Sequence, residues 1–178
     1  MTNVPGPGFV LLLAAAATFV VLPLLAGLSL LVATVLGRRL TWTLVGVHAI
    51  AILIGVGALA AGSPVGIQDA PIGATVGLAR FTVGVLLGGL LVAAIVEGLP
   101  IALGALVTVL FRDTSRERGL RCATAGYALG GVGGALVGLL LTGSLAAVVV
   151  GALFAPLTAF GGPILDAAAT WVGTSELT

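Results

Sequence analysis

Five long apolar runs, separated by short polar pieces, constrain this chain more than any other feature of its sequence. The runs cover residues 9–36, 41–62, 81–110, 122–142 and 144–161. A helix needs about 20 mostly apolar residues to cross a bilayer. Only 7% of the residues are charged, whereas a soluble domain carries roughly 25%. Because so few charges cannot cover a water-facing surface, the sequence predicts a polytopic membrane protein solvated mostly by lipid.

The continuity of these runs favours helices over the strands of a membrane barrel. Barrel strands alternate apolar and polar residues over about ten positions, and no such alternation is present here. The fold class that we predict is all-α: one transmembrane domain over residues 1–178, built as a bundle of five helices. We interpret the N-terminal run as a retained helix, and residues 162–178 as a short cytoplasmic tail whose brief apolar patch lies along the membrane surface.

The arginines predict the orientation of the bundle. Short loops that carry an excess of basic residues stay in the cytoplasm. Six of the seven arginines fall in the two connections that follow the first and third helices: Arg38, Arg39, Arg112, Arg116, Arg118 and Arg121. This distribution predicts a multi-pass protein of the cell membrane, with the N-terminus outside and the C-terminus inside. The same arginines are candidates for contact with anionic lipid head groups.

The third run contains a helix breaker and a carboxylate at its centre. Pro100 lacks a backbone donor and clashes with the carbonyl four residues earlier, at Val96, so we expect a kinked third helix. A complete break within Glu97–Pro100 is the alternative. It gives six spans, but leaves a very short last piece and puts the four-arginine loop outside.

Glu97 is the main candidate for a functional ionisable group. Carboxylates near the middle of a membrane usually face the bundle interior and often mark ion or proton paths. A protonated acid that only stabilises packing is the alternative. His48 is the candidate partner. Counted from the cytoplasmic ends of their helices, His48 lies about 10 Å and Glu97 about 20 Å deep. A direct contact between them would therefore need helix tilt or a chain of water.

A stripe of glycines in the fourth run predicts close helix packing. Its members recur every four residues: Gly126, Gly130, Gly134 and Gly138. In lipid, small residues let two backbones approach, and the resulting van der Waals contact drives association. The partner is either another helix of this chain or a second copy, so the stripe leaves intrachain packing and self-association both open.

No pattern in the sequence predicts catalysis. The chain has no lysine, one histidine and one cysteine, and no metal-ligand spacing or Ser-His-Asp arrangement appears. We expect no catalytic residues, no metal, no cofactor and no nucleic-acid partner. Two hypotheses about function remain. The first is a structural or accessory membrane component, alone, as a homo-oligomer or in a larger complex. The second is a small proton- or ion-coupled transporter or channel that uses Glu97.

Overall fold

The computed structural model describes residues 7–61 and 72–175, and every regular element within these ranges is helical. The elements are Pro7–Leu36 (α1), Leu40–Ala61 (α2), Ile72–Ala93 (α3), a π-helical turn at Ala94–Gly98, Leu99–Arg112 (α4), Arg116–Thr142 (α5), Leu145–Ala152 (α6), Ala155–Thr158 (α7), a 3-10 turn at Ala159–Gly161, and Gly162–Ser175 (α8). The prediction of an all-α fold is confirmed for this part of the chain.

Five stretches are long and apolar enough to cross a membrane, as the sequence predicts. These spans are Thr18–Leu36, Leu40–Ala58, Ala79–Arg112, Arg116–Thr142 and Leu145–Gly173. At most 28% of the residues in the apolar window of any span are buried. Large apolar side chains cover the outside, including Leu140 and Phe111, which are 82% and 77% exposed. An apolar exterior of this extent suits lipid, so we describe the chain as a multi-pass membrane protein.

The third span remains helical from Ile72 to Arg112. It begins nine residues before the predicted start at 81, because Arg80 lies on an exposed helical turn and does not end the helix. Residues 62–71, which include Asp69, lie outside the described residues. Just before Pro100, the helix widens into the π-helical turn at Ala94–Gly98. There the amide of Leu99 donates to the carbonyl of Ala94, five residues back. The alternative of two separate spans is therefore not adopted.

The end of the chain differs from the sequence prediction. The fifth span does not end at 161, because α8 continues it and packs against α4 and α5. Pro163 falls in the first turn of α8, where a missing amide donor costs little. Gly162 lies so close to Thr108 that a β-carbon there would overlap the hydroxyl. Residues 162–173 are thus part of the bundle, and they do not form a separate surface piece.

Two short turns determine where the central helices begin. The side chain of Ser115 accepts a hydrogen bond from the amide of Arg118 at the start of α5. Ser144 caps α6 in the same way through Ala147. Gly143 ends α5 with a φ of 64°, a left-handed conformation that glycine adopts without steric cost. These caps make α5 and α6 an antiparallel hairpin.

The glycine stripe of α5 faces α6 and α7 of the same chain. A β-carbon at Gly134 would overlap the backbone of Gly151, and one at Gly151 would overlap Gly134. Gly138 lies equally close to the carbonyl of Ala147, and Gly126 and Gly130 lie against Thr158. A second copy would have to displace the fifth span to reach this stripe.

Candidate functional site

His48 lies on α2 with both ring nitrogens in hydrogen-bond contact. The residue is 5% exposed. Its Nδ1 lies 2.7 Å from the carbonyl oxygen of Leu44, one helical turn earlier. A carbonyl only accepts hydrogen bonds, so Nδ1 must carry a hydrogen. This bond fixes the ring orientation and turns Nε2 away from α2.

Glu97, which lies on the π-helical turn, contacts the second ring nitrogen of His48. The carboxylate Oε2 lies 2.7 Å from Nε2 of His48, and Glu97 is only 3% exposed. The π-helical turn inserts one extra residue into the helical repeat, which changes the direction of the side chains that follow it. The two residues that the sequence analysis named as the candidate functional group and its candidate partner are therefore in direct contact.

The depths estimated from the sequence differ because that estimate assumes that the cytoplasmic ends of the two helices lie at the same level. His48 lies about 12 Å along α2 from Leu40, whereas Glu97 lies about 22 Å from the end of the third span at Arg112. The observed contact means that the third span extends about 10 Å further than α2 at this end. No water chain is needed to connect the pair.

The geometry requires one shared proton. A separation of 2.7 Å is a hydrogen-bond distance. Since Nδ1 already donates to Leu44, a further hydrogen must lie between Nε2 and Oε2. The pair is either imidazolium with carboxylate or imidazole with carboxylic acid, and its net charge is zero in both forms. Burial favours this neutral pair over an isolated charge.

The second oxygen of Glu97 has no partner within the described residues. Its Oε1 is buried without a hydrogen bond, and so is the hydroxyl of Tyr127 on α5. Tyr127 is completely buried in the core of the bundle. Buried polar atoms are normally satisfied, so the free Oε1 is the unusual feature of this site.

Two clefts meet at His48. The first, of about 560 Å³, lies between α1 residues 18–25, α2 residues 48–52 and α3 residues 85–93. The second, of about 490 Å³, lies between α2 residues 41–48 and residues 90–98 of α3 and the π-helical turn. His48 lines both clefts and Glu97 lines the second. His48 thus lies where two clefts, displaced from each other along α2 and α3, come together.

Four arginines lie where α4 ends and α5 begins, and there Asp166 forms a link that sequence reasoning missed. Its side chain is buried and accepts hydrogen bonds from Arg112 and Arg118. Asp166 joins α8 to the ends of α4 and α5. A lone acid in the apolar segment 162–173 was the available signal. Its meaning depended on α8 packing against the bundle.

The other arginines that we predicted to contact lipid head groups form a single surface ion pair or none with the described residues. Arg121 pairs with Glu117 at 3.0 Å on the surface of α5. Three of the four arginines at 112–121 therefore already have an acidic partner. Arg116 has no ion pair with any described residue, and Arg38 and Arg39 are exposed.

No group of three metal-ligating side chains comes together in the described ranges 7–61 and 72–175. Cys122 is a free thiol, partly buried in α5. The His48–Glu97 pair and its two clefts are the strongest candidate site. No family model, curated protein or solved structure matches this chain, so its function must be inferred from the geometry of the site.

Proposed function

We propose that this protein is a small proton-coupled carrier of the cell membrane, in which the His48–Glu97 pair takes up and releases the coupling proton. The observation that supports this proposal is the direct contact of Nε2 with Oε2, buried between two clefts. The sequence alone favoured an accessory component, because it contains few polar residues that could form a functional site. We infer transport rather than catalysis because the site has a proton-binding pair and because the described residues that line the two clefts include no cysteine or serine.

The proposal includes the orientation predicted from sequence. With the N-terminus outside, the six arginines at 38–39 and 112–121 are cytoplasmic, as the positive-inside rule expects. The first cleft then opens toward the outer half of the membrane and the second toward the inner half. The pair would be reached by protons from opposite sides through these two clefts.

Loss of the shared proton breaks the contact. Without it, the lone pair of Nε2 faces a carboxylate oxygen, and two acceptors at hydrogen-bond distance repel each other. The imidazole remains tied to Leu44, so the carboxylate must move. The π-helical turn and Pro100 form the weak point of the third span, because backbone hydrogen bonding is irregular there. We propose that this segment bends when the proton leaves.

Among the described residues, few acid–base groups lie on the helices that surround the pair. α1 carries no titratable residue, and His48 is the single one on α2. Arg80 lies seventeen positions from Glu97 along the third span, and Arg112 lies at its far end. Tyr127, on α5, is buried in the core of the bundle. Proton binding is therefore controlled by the pair itself.

The test is a proton-flux measurement in proteoliposomes with an imposed pH gradient and a pH-sensitive dye inside. Glu97→Gln and His48→Gln should each reduce the protein-dependent flux at least tenfold while the protein still elutes as a folded species. Glu117→Gln, which changes an exposed acid, should keep the wild-type flux.

A second measurement separates transport from a structural role. Difference infrared spectra of the reconstituted protein between acid and alkaline pH should show a protonation change that disappears in Glu97→Gln. A pair that serves packing alone predicts no such signal and equal flux in all variants, and that result would overturn the proposal.

A further inference from the structure

The second cleft combines apolar walls with the side chain of Glu97, one of whose carboxylate oxygens is buried without a partner among the described residues. Leu44, Val45, Leu90 and Leu91 line it together with Glu97. Its volume of about 490 Å³ falls within the range of about 300–1,000 Å³ typical of sites for small organic molecules. Glu97 is 97% buried, and its Oε1 lacks a protein partner. Such a site recognises a ligand that has a large apolar surface and one positive or hydrogen-donating group.

A metal cation does not fit these walls. An ion that leaves water needs several oxygen ligands in place of its hydration shell. The side chains that line the second cleft offer the Glu97 carboxylate and the hydroxyl of Thr41, and the others are apolar apart from His48. An anion would face the carboxylate without a fixed positive charge nearby. An organic cation with a delocalised or shielded charge avoids both penalties, because its hydration is weak.

Charge balance then couples this ligand to the proton. The closed pair holds one proton and is neutral. If the proton leaves to solvent, the pair carries one negative charge in apolar surroundings, and a monovalent cation in the cleft restores neutrality. Proton and cation together would leave one uncompensated positive charge, which is costly in low dielectric. The two ligands therefore compete for the same charge.

We propose that the second cleft binds a monovalent lipophilic organic cation, which exchanges one for one with the proton of the His48–Glu97 pair. This inference rests on the proposed function and gives it a substrate class. No bond within the ligand changes: the cation enters, one proton is released to water, and the net charge of the site stays at zero.

Tetraphenylphosphonium is a suitable probe, with the full chain in lipid nanodiscs. Binding should release about one proton per ligand into a weakly buffered solution that contains a pH dye. Where the pair is protonated, the apparent affinity should fall about tenfold for each unit decrease in pH, because binding and proton release are linked. Uncharged triphenylphosphine oxide should release no proton.

Three variants make the test decisive. Glu97→Gln should abolish both binding and proton release, while Glu117→Gln should retain both. Val45→Trp, which fills the second cleft, should weaken binding at least tenfold but keep the infrared protonation signal of Glu97. Binding without proton release, or equal binding by Glu97→Gln, overturns the exchange. If the infrared signal and proton flux persist while the probe does not bind, the carrier proposal stands and this substrate class is wrong.

Discussion

The imidazole Nε2 of His48 and the carboxylate Oε2 of Glu97 lie 2.7 Å apart, although 49 positions separate the two residues in sequence. The contact joins α2 to the π-helical turn of the third span, and it is buried on both sides. The coupling free energy of the two side chains and the proton that they share can both be measured.

The first prediction concerns the energy of this contact. A double-mutant cycle with His48→Ala and Glu97→Ala should give a coupling free energy of about 1–3 kcal/mol, since each single change leaves a buried polar group without its partner. Unfolding in mixed micelles of increasing dodecyl sulfate measures it. The exposed pair Arg121–Glu117 serves as the control, where we expect about 0.5 kcal/mol or less. Equal coupling in the two cycles would contradict a desolvated pair.

The second prediction concerns the packing of α5 against α6. Gly134→Ala should lower the free energy of unfolding by about 1–3 kcal/mol, because the added methyl group forces apart two backbones in contact. Gly133 lies in the same helix, and a β-carbon there meets no atom within 4 Å. Gly133→Ala should therefore leave stability unchanged or raise it slightly. The same unfolding assay compares the two variants, and a neutral Gly134→Ala would refute the close approach.

The third prediction concerns the link formed by Asp166. Asp166→Asn should cost about 1–2 kcal/mol, because the neutral amide loses both ion pairs and keeps one acceptor oxygen for two arginines, discounted for arginine side chains that are 39% and 46% exposed. Glu117→Gln changes an exposed acid and should cost little. Limited proteolysis should show faster cleavage near α8 in Asp166→Asn alone. If the rate of cleavage near α8 does not change in Asp166→Asn, apolar packing holds this helix in place without the ion pairs.

The fourth prediction concerns orientation. In a Cys122→Ser background, Thr142→Cys should react with a membrane-impermeant maleimide on intact cells, since it adjoins the connection between α5 and α6. Glu117→Cys should react only after the cells are permeabilised. The reverse pattern would invert the bundle and exchange the sides to which the two clefts open.

The fifth prediction concerns Tyr127, whose hydroxyl is buried without a protein partner among the described residues. Tyr127→Phe keeps the ring in the core and removes a polar atom that is costly to bury. Stability in the micelle assay should be equal or higher. A loss of more than about 1 kcal/mol would mean that the hydroxyl makes a hydrogen bond in the membrane.

Apolar patterning and residue type were sufficient to predict five spans and the candidate residues. Long apolar runs specify helices in lipid, because a backbone without water must satisfy its hydrogen bonds within each segment. Glu97 and His48 could be identified as candidates because ionisable residues are rare in membrane helices. The glycine stripe could be identified because its members recur every four residues. Residues 162–173 could not be assigned, because the short apolar patch there is too weak a signal without the surface that it packs against.

Long-range packing establishes which of these features come into contact. Whether His48 reaches Glu97 depends on the relative height of two helices, and apolar periodicity contains no information about height. Whether the stripe at Gly126–Gly138 faces its own chain depends on the hairpin formed at Gly143 and Ser144. Asp166 became a structural link once α8 returned to the arginine-rich end. Each of these outcomes follows from long-range packing, in which lipid-facing and protein-facing apolar residues are chemically alike.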